Sequence, residues 1–167
     1  TLSSTTIDTG HFSFAKDGSL VVSSAPKEAG NTGGVSIGNN QQPLITMTEP
    51  ETITSKLTGE ALSICIDERN NVAAVTHPSA NLITFWSIDK KELVKAMSVP
   101  DPRGITLSLD KNHFIVSYEV TTSAILVDTK TLTANTESNM QPIYASGEHI
   151  INWSRTLTEI MPENIYS

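Results

Sequence analysis

The chain has 167 residues, with 18 Asp or Glu against 11 Lys or Arg, for a formal net charge of −7 at pH 7. An apolar content of 38% is enough to build a core and argues against wholesale disorder. The acid excess makes the chain a poor neutraliser of nucleic-acid phosphates. No apolar run approaches the roughly 20 residues a spanning helix needs, and the lone Cys65 excludes an intrachain disulfide or a cysteine-cluster metal site.

The opening residues, Thr1 to Asp8, carry neither the charged nor the apolar segment of an export signal. With Leu2 and Ile7 in a Thr/Ser context, they read as the tail of a strand in a chain that begins mid-structure. Three places then share one grammar: an alternating apolar run, a polar turn and a second apolar run. They are Phe12 to Ser23 around Asp17-Gly18, Leu62 to Val75 around Asn70-Asn71, and Ile105 to Val116 around Lys111-Asn112. Period-two alternation puts Leu62, Ile64 and Ile66 on one face, and likewise Ile105, Leu107 and Leu109. Asp, Asn and Gly at the joins tolerate the positive φ of tight hairpins.

Each unit continues with another strand pair. The first has Gly34–Ile37, a turn from Gly38 to Pro43, and Leu44–Thr48. The second has Leu82–Ile88, the turn Asp89–Glu92, and Leu93–Met97. The third has Ala124–Val127, the turn Asp128–Thr131, and a weaker strand from Leu132. Four short strands every ~40–50 residues is the arithmetic of a β-propeller blade. A β-sandwich would also use such strands, but here whole four-strand units recur. The reading is an all-β chain of three complete four-stranded antiparallel blades, about 10–50, 60–100 and 103–138, with terminal strands at 1–9 and 145–167. That is about half of a seven-bladed ring. Helix is confined to a turn or two within Thr48–Thr58 and Ser154–Met161.

Ala15-Lys16-Asp17-Gly18-Ser19-Leu20-Val21-Val22 resembles the Asp-Gly hairpin of YVTN-like and WD40-like bacterial propellers, with Lys16 where those have Pro. Val75-Thr76-His77-Pro78-Ser79-Ala80-Asn81-Leu82, followed by Phe85-Trp86, resembles a more particular group. So do Val99-Pro100-Asp101-Pro102-Arg103-Gly104-Ile105 and His113 to Tyr118. That group is an uncharacterised bacterial family of exported propellers, defined as a domain of unknown function. The resemblance covers residues 10–153 as the C-terminal half of a seven-bladed ring. It implies twin-arginine export, a periplasmic location and a link to iron uptake through neighbouring imelysin-type proteins. It implies no activity.

In a propeller the innermost strand of each blade lines the channel, and the loops at the strand starts share one face. Sorting residues by that rule places His11, His77, Arg103, Tyr118, Glu148 and His149 there as ligand-binding candidates, with Lys27-Glu28 and Glu119 alongside. His11, Arg103 and Glu148-His149 would ring one channel mouth, and two His with a carboxylate match a metal-binding triad in residue type. Each has a plainer reading: His77 as turn chemistry before Pro78, Arg103 in a salt bridge to Asp101, His113 as a solvent-facing residue on the opposite side. Gly30 to Gly34 reads as a flexible loop and Cys65 as a buried structural thiol. No nucleophile elbow, zinc-protease or P-loop motif occurs.

The function expected is therefore non-enzymatic: a bacterial envelope propeller, without cofactor or metal, binding a protein partner or small ligand on the channel-loop face. The competing reading is an enzyme of lactonase or quinoprotein-like type with a His/carboxylate metal site at the channel. Neither nucleic acid nor a membrane span is expected. Terminal blades expose apolar faces, so a partner is: a protein, a missing N-terminal half, or a second copy that completes the ring.

Overall fold

The computed structural model describes residues 7–118, 123–140 and 149–150, with 136–140 by backbone alone. Its strands fall into three antiparallel four-stranded sheets. The first holds β1 (Ile7–Phe14), β2 (Ser19–Pro26), β3 (Gly34–Asn39) and the two-residue β4 (Ile45–Thr46). A single helical turn, α1 (Glu51–Thr54), leads to β5 (Ser63–Asp67), β6 (Val72–His77), β7 (Leu82–Ser87) and β8 (Glu92–Ser98). The third sheet holds β9 (Pro102–Leu107), β10 (His113–Tyr118), β11 (Ser123–Asp128) and β12 (Ala134–Met140).

Within each sheet the strands lie in chain order. The first strands β1, β5 and β9 approach one another across the sheets, so each sheet radiates from a common inner line. Successive sheets packed face to face around inner first strands are β-propeller blades, and the three sheets are called blades 1 to 3.

Strand alternation builds the seams. On β7, Phe85 faces blade 3 and Trp86 faces blade 1, as their one-residue offset requires. Phe85 packs with Val72, Ala74, Ile83, Ile105, Phe114, Val116 and Val127. Trp86 packs with Val21, Val35, Ile37, Ala73 and Val75. Blade 2 thus buries both faces.

The turns are held by short polar side chains folded onto their own backbone. The Asp17 carboxylate accepts the Ser19 amide, and Asp128 accepts the amides of Lys130 and Thr131. Asp110 accepts the Asn112 amide and the Ser108 hydroxyl. Those hydrogen bonds hold the Asp110 carboxyl down at about 2, the Ser108 hydroxyl first among them. Positive φ occurs at Gly18, Asn71 and Asn81 as the residue types lead one to expect, but also at Lys91, Lys111 and Leu132. Leu132 is buried in the seam with blade 2. Packing of its side chain stabilises a conformation that a bulky residue seldom adopts. The fourth strand of blade 3 accordingly begins at Ala134, past the Leu132 start expected from sequence.

Gly30 to Gly34 is not a free loop. Thr32 bridges Thr58 and Gly59, the Gly33 amide donates to the Leu57 carbonyl, and the Gly59 amide donates to the Asn31 carbonyl. These bonds stitch the β2–β3 loop of blade 1 to the connector into blade 2.

Candidate functional site

The starts of the inner strands bring several predicted residues together. His11 lies on β1, its amide donating to Ser23 Oγ. Its imidazole stands over the connector before β5, where Nε2 is 3.9 Å from Glu60 Oε1. The ring of His149 lies against His11 with centroids 4.6 Å apart and planes tilted by 59°. The two residues are 138 positions apart in sequence, so only the tertiary fold makes them neighbours. Gly104 is what lets the chain at His149 come so close: a Cβ there would lie 2.8 Å from Ile150 Cγ1 and 3.0 Å from the His149 carbonyl carbon.

Arg103 sits beside that contact and reaches Asp101, with Nη1 at 3.2 and 3.3 Å from the two carboxylate oxygens. Its carbonyl accepts the Thr76 hydroxyl at 2.6 Å, which ties β9 to blade 2. Lys27 pairs with Asp8 at 3.7 Å on the same side of blade 1. The mouth therefore presents two imidazoles, the Glu60 carboxylate and the Arg103–Asp101 pair, all but the last substantially exposed.

Two candidates lie elsewhere. His77 is the last residue of β6 and only 1% exposed, so it belongs to the blade interior and not to the loop face. Its Nε2 is 2.8 Å from Thr84 Oγ1, which also accepts the Trp86 indole N–H at 2.7 Å. Burial pushes its pKa down to about 3, so the imidazole is neutral. Tyr118 closes β10 and packs on the seam between blades 2 and 3. Glu148 and Glu119 lie outside the described residues.

Below the mouth the inner strands enclose a channel cleft of about 380 Å³, walled by Ile64, Cys65, Ile105, Thr106 and Ile150 and ending among Lys16, Glu68, Arg69 and Lys111. At that far end Lys16 donates its amide to Glu68 Oε1 at 2.7 Å, and Arg69 donates to the Asp110 carbonyl at 3.4 Å. Each bond ties one blade to the next. Burial, with the nearby Asp67 carboxylate, pushes the Cys65 thiol up to about 12. It stays protonated at neutral pH and is no ready nucleophile or ligand.

Glu60 is the mouth residue that sequence reasoning missed. Its signal was available: Gly59-Glu60 repeats the pairing of glycine with a polar or charged residue seen at Gly10-His11, Arg103-Gly104 and Gly147-Glu148. It stands ahead of the apolar run, however, where it reads as connector. Among the described residues no three His, Cys, Asp or Glu side chains form a ready metal-binding group.

Comparison with solved structures supports the fold. Hydrazine synthase from Kuenenia stuttgartiensis matches with a TM-score of 0.63 and 13% identity over 83% of this chain and 37% of that one. Sqt1 of Saccharomyces cerevisiae matches at 0.66 and 12% over 87% and 38%. A 6-phosphogluconolactonase assigned as such in Bacteroides uniformis matches at 0.56 and 13% over 84% and 44%. The chain spans less than half the length of each. Identities this low speak for the fold and not for the activity. No curated protein sequence matches the chain. A family profile does, over residues 3–151, and the chain belongs to that family, described as protein of unknown function (DUF1513).

Proposed function

We propose that the chain is the ligand-receiving part of a larger, non-enzymatic propeller of the bacterial cell envelope. Its channel-loop face takes a protein partner or a small ligand, and further blades complete the ring. The observation that carries this reading is the His11–His149 contact beside Glu60, a cluster of exposed polar side chains set around the inner strand β1 and the connector into β5. Rigid scaffolds with functional groups at loop ends are where binding sites concentrate. The periplasmic location and the link to iron uptake rest on the family resemblance alone.

The test is capture from a periplasmic extract by immobilised wild-type protein and by the His11→Ala/His149→Ala double variant. A partner or ligand held by the wild type and released by the variant supports the reading. Identical captured sets from both proteins sink it.

A second reading, an enzyme with a metal at the channel mouth, rests on the residue types of the two imidazoles and the carboxylate, not on their geometry. Elemental analysis of the purified protein separates the two. Stoichiometric metal that disappears in the double variant would establish a metal site and overturn the metal-free binding reading, whereas metal-free protein that still captures its partner supports the binding one.

A further inference from the structure

A second cavity, of about 440 Å³, opens on blade 1 and shares no lining residue with the channel mouth. Its walls come from the β2–β3 loop, the end of β4, and α1 with the residues that follow it. Three buried apolar side chains line it, Ile7, Met47 and Leu57. Apolar walls with a few placed polar groups are the usual make-up of a small-molecule site.

The polar groups decide the sign of the ligand. Thr54 Oγ1 donates to the Thr48 carbonyl at 2.7 Å, and Ser55 Oγ donates to the Glu51 carbonyl at 2.6 Å. A hydroxyl has one proton, so these two offer a ligand only their lone pairs. Glu51 is the one charged residue among the described residues of the lining. Its carboxylate is exposed and has no ion-pair partner among the described residues. An anion would meet that charge with no cationic side chain to offset it. An ammonium, by contrast, brings three donors and a positive charge to oxygens that can only accept.

We propose that this cavity binds a small aliphatic amine. The ammonium sits on the Glu51 carboxylate with the Thr54 and Ser55 oxygens around it, and the alkyl chain lies against Ile7, Met47 and Leu57. The site lies apart from His11, His149 and Glu60, so it is independent of the ligand face proposed above.

The experiment titrates the intact protein with butylammonium by calorimetry, alongside 1-butanol, butyrate and ammonium ion. Glu51→Gln removes the charge, and Glu49→Gln is the control. Glu49 is an exposed neighbour that does not line the cavity, so both variants alter surface positions that folding tolerates. Saturable binding of butylammonium at one site is expected, weakened about tenfold or more by Glu51→Gln, as for a lost charge-assisted hydrogen bond. Glu49→Gln should weaken it by less than about threefold, since that charge acts only through screened solvent. Butanol and butyrate should bind at least as weakly as butylammonium does to Glu51→Gln. No saturable binding, equal binding by wild type and Glu51→Gln, or butyrate binding as tightly as the amine would overturn the proposal. Ammonium ion binding as tightly as butylammonium would make this a bare cation site and overturn it too. Nα-acetyl-lysinamide carries the same alkylammonium on a peptide unit. Tighter binding of that probe would assign the cavity to a lysine side chain of a partner and not to a free amine.

Discussion

His77, Thr84 and Trp86 form a buried polar chain in the middle of an apolar blade, and its chemistry has a measurable consequence. The imidazole titrates near the ordinary histidine value of ~6.5 when unfolded and at about 3 when folded. Below pH ~6.5 the unfolded chain binds the extra proton, so the full contribution is present above that pH and is lost on acidification toward pH 3. The slope is at most about 1.4 kcal/mol per pH unit. Between pH 6.5 and 4, above the range where Asp110 titrates, wild type should lose stability in urea titrations. His77→Gln should flatten that loss while keeping a partner for Thr84. Equal slopes in the two proteins would refute the assignment. His77 also shows why residue type misled: polarity and a following Pro78 signal a turn, but burial depends on which strands flank it.

At the level of the element, neighbouring glycines have opposite roles. A Cβ on Gly33 would collide with the carbonyl oxygens of both Ser24 and Gly59, whereas one on Gly34 would meet only the Thr46 methyl at 3.5 Å. Backbone cannot yield as a side-chain tip can. Gly33→Ala should therefore cost about 2–3 kcal/mol, in the range of forced overpacking, and Gly34→Ala should cost nothing. Chemical denaturation of the pair decides it, and a neutral Gly33→Ala would show that the stitch between loop and connector is not tight. The hairpins themselves were legible, because Asp17, Asp110 and Asp128 act on residues two or three positions away. The Leu132 turn and the connector stitch were not, since both depend on surfaces distant in sequence.

At the scale of the whole molecule, the described residues join the blades through two seams, and β7 serves both. Phe85→Ala and Trp86→Ala remove fully buried rings from opposite faces of one strand, each at a cost of about 3–5 kcal/mol. Because the rings lie in separate clusters, the double variant should approach the sum of the single effects by calorimetry. A coupling above about 1 kcal/mol would mean that the seams are not independent. No helix among the described residues is long and apolar enough to cross a membrane. From sequence alone came the strand alternation, the turn aspartates and the repeat of four-strand units. All of these are local, set by a period of two and by side chains reaching their own backbone. The tertiary structure alone decided that Glu60 joins His11 and His149, that His77 is sealed inside a blade, and that Phe12 and Phe14 stand open. Those facts follow from how strands far apart in the chain converge on the channel and stack face to face, and no local pattern encodes that.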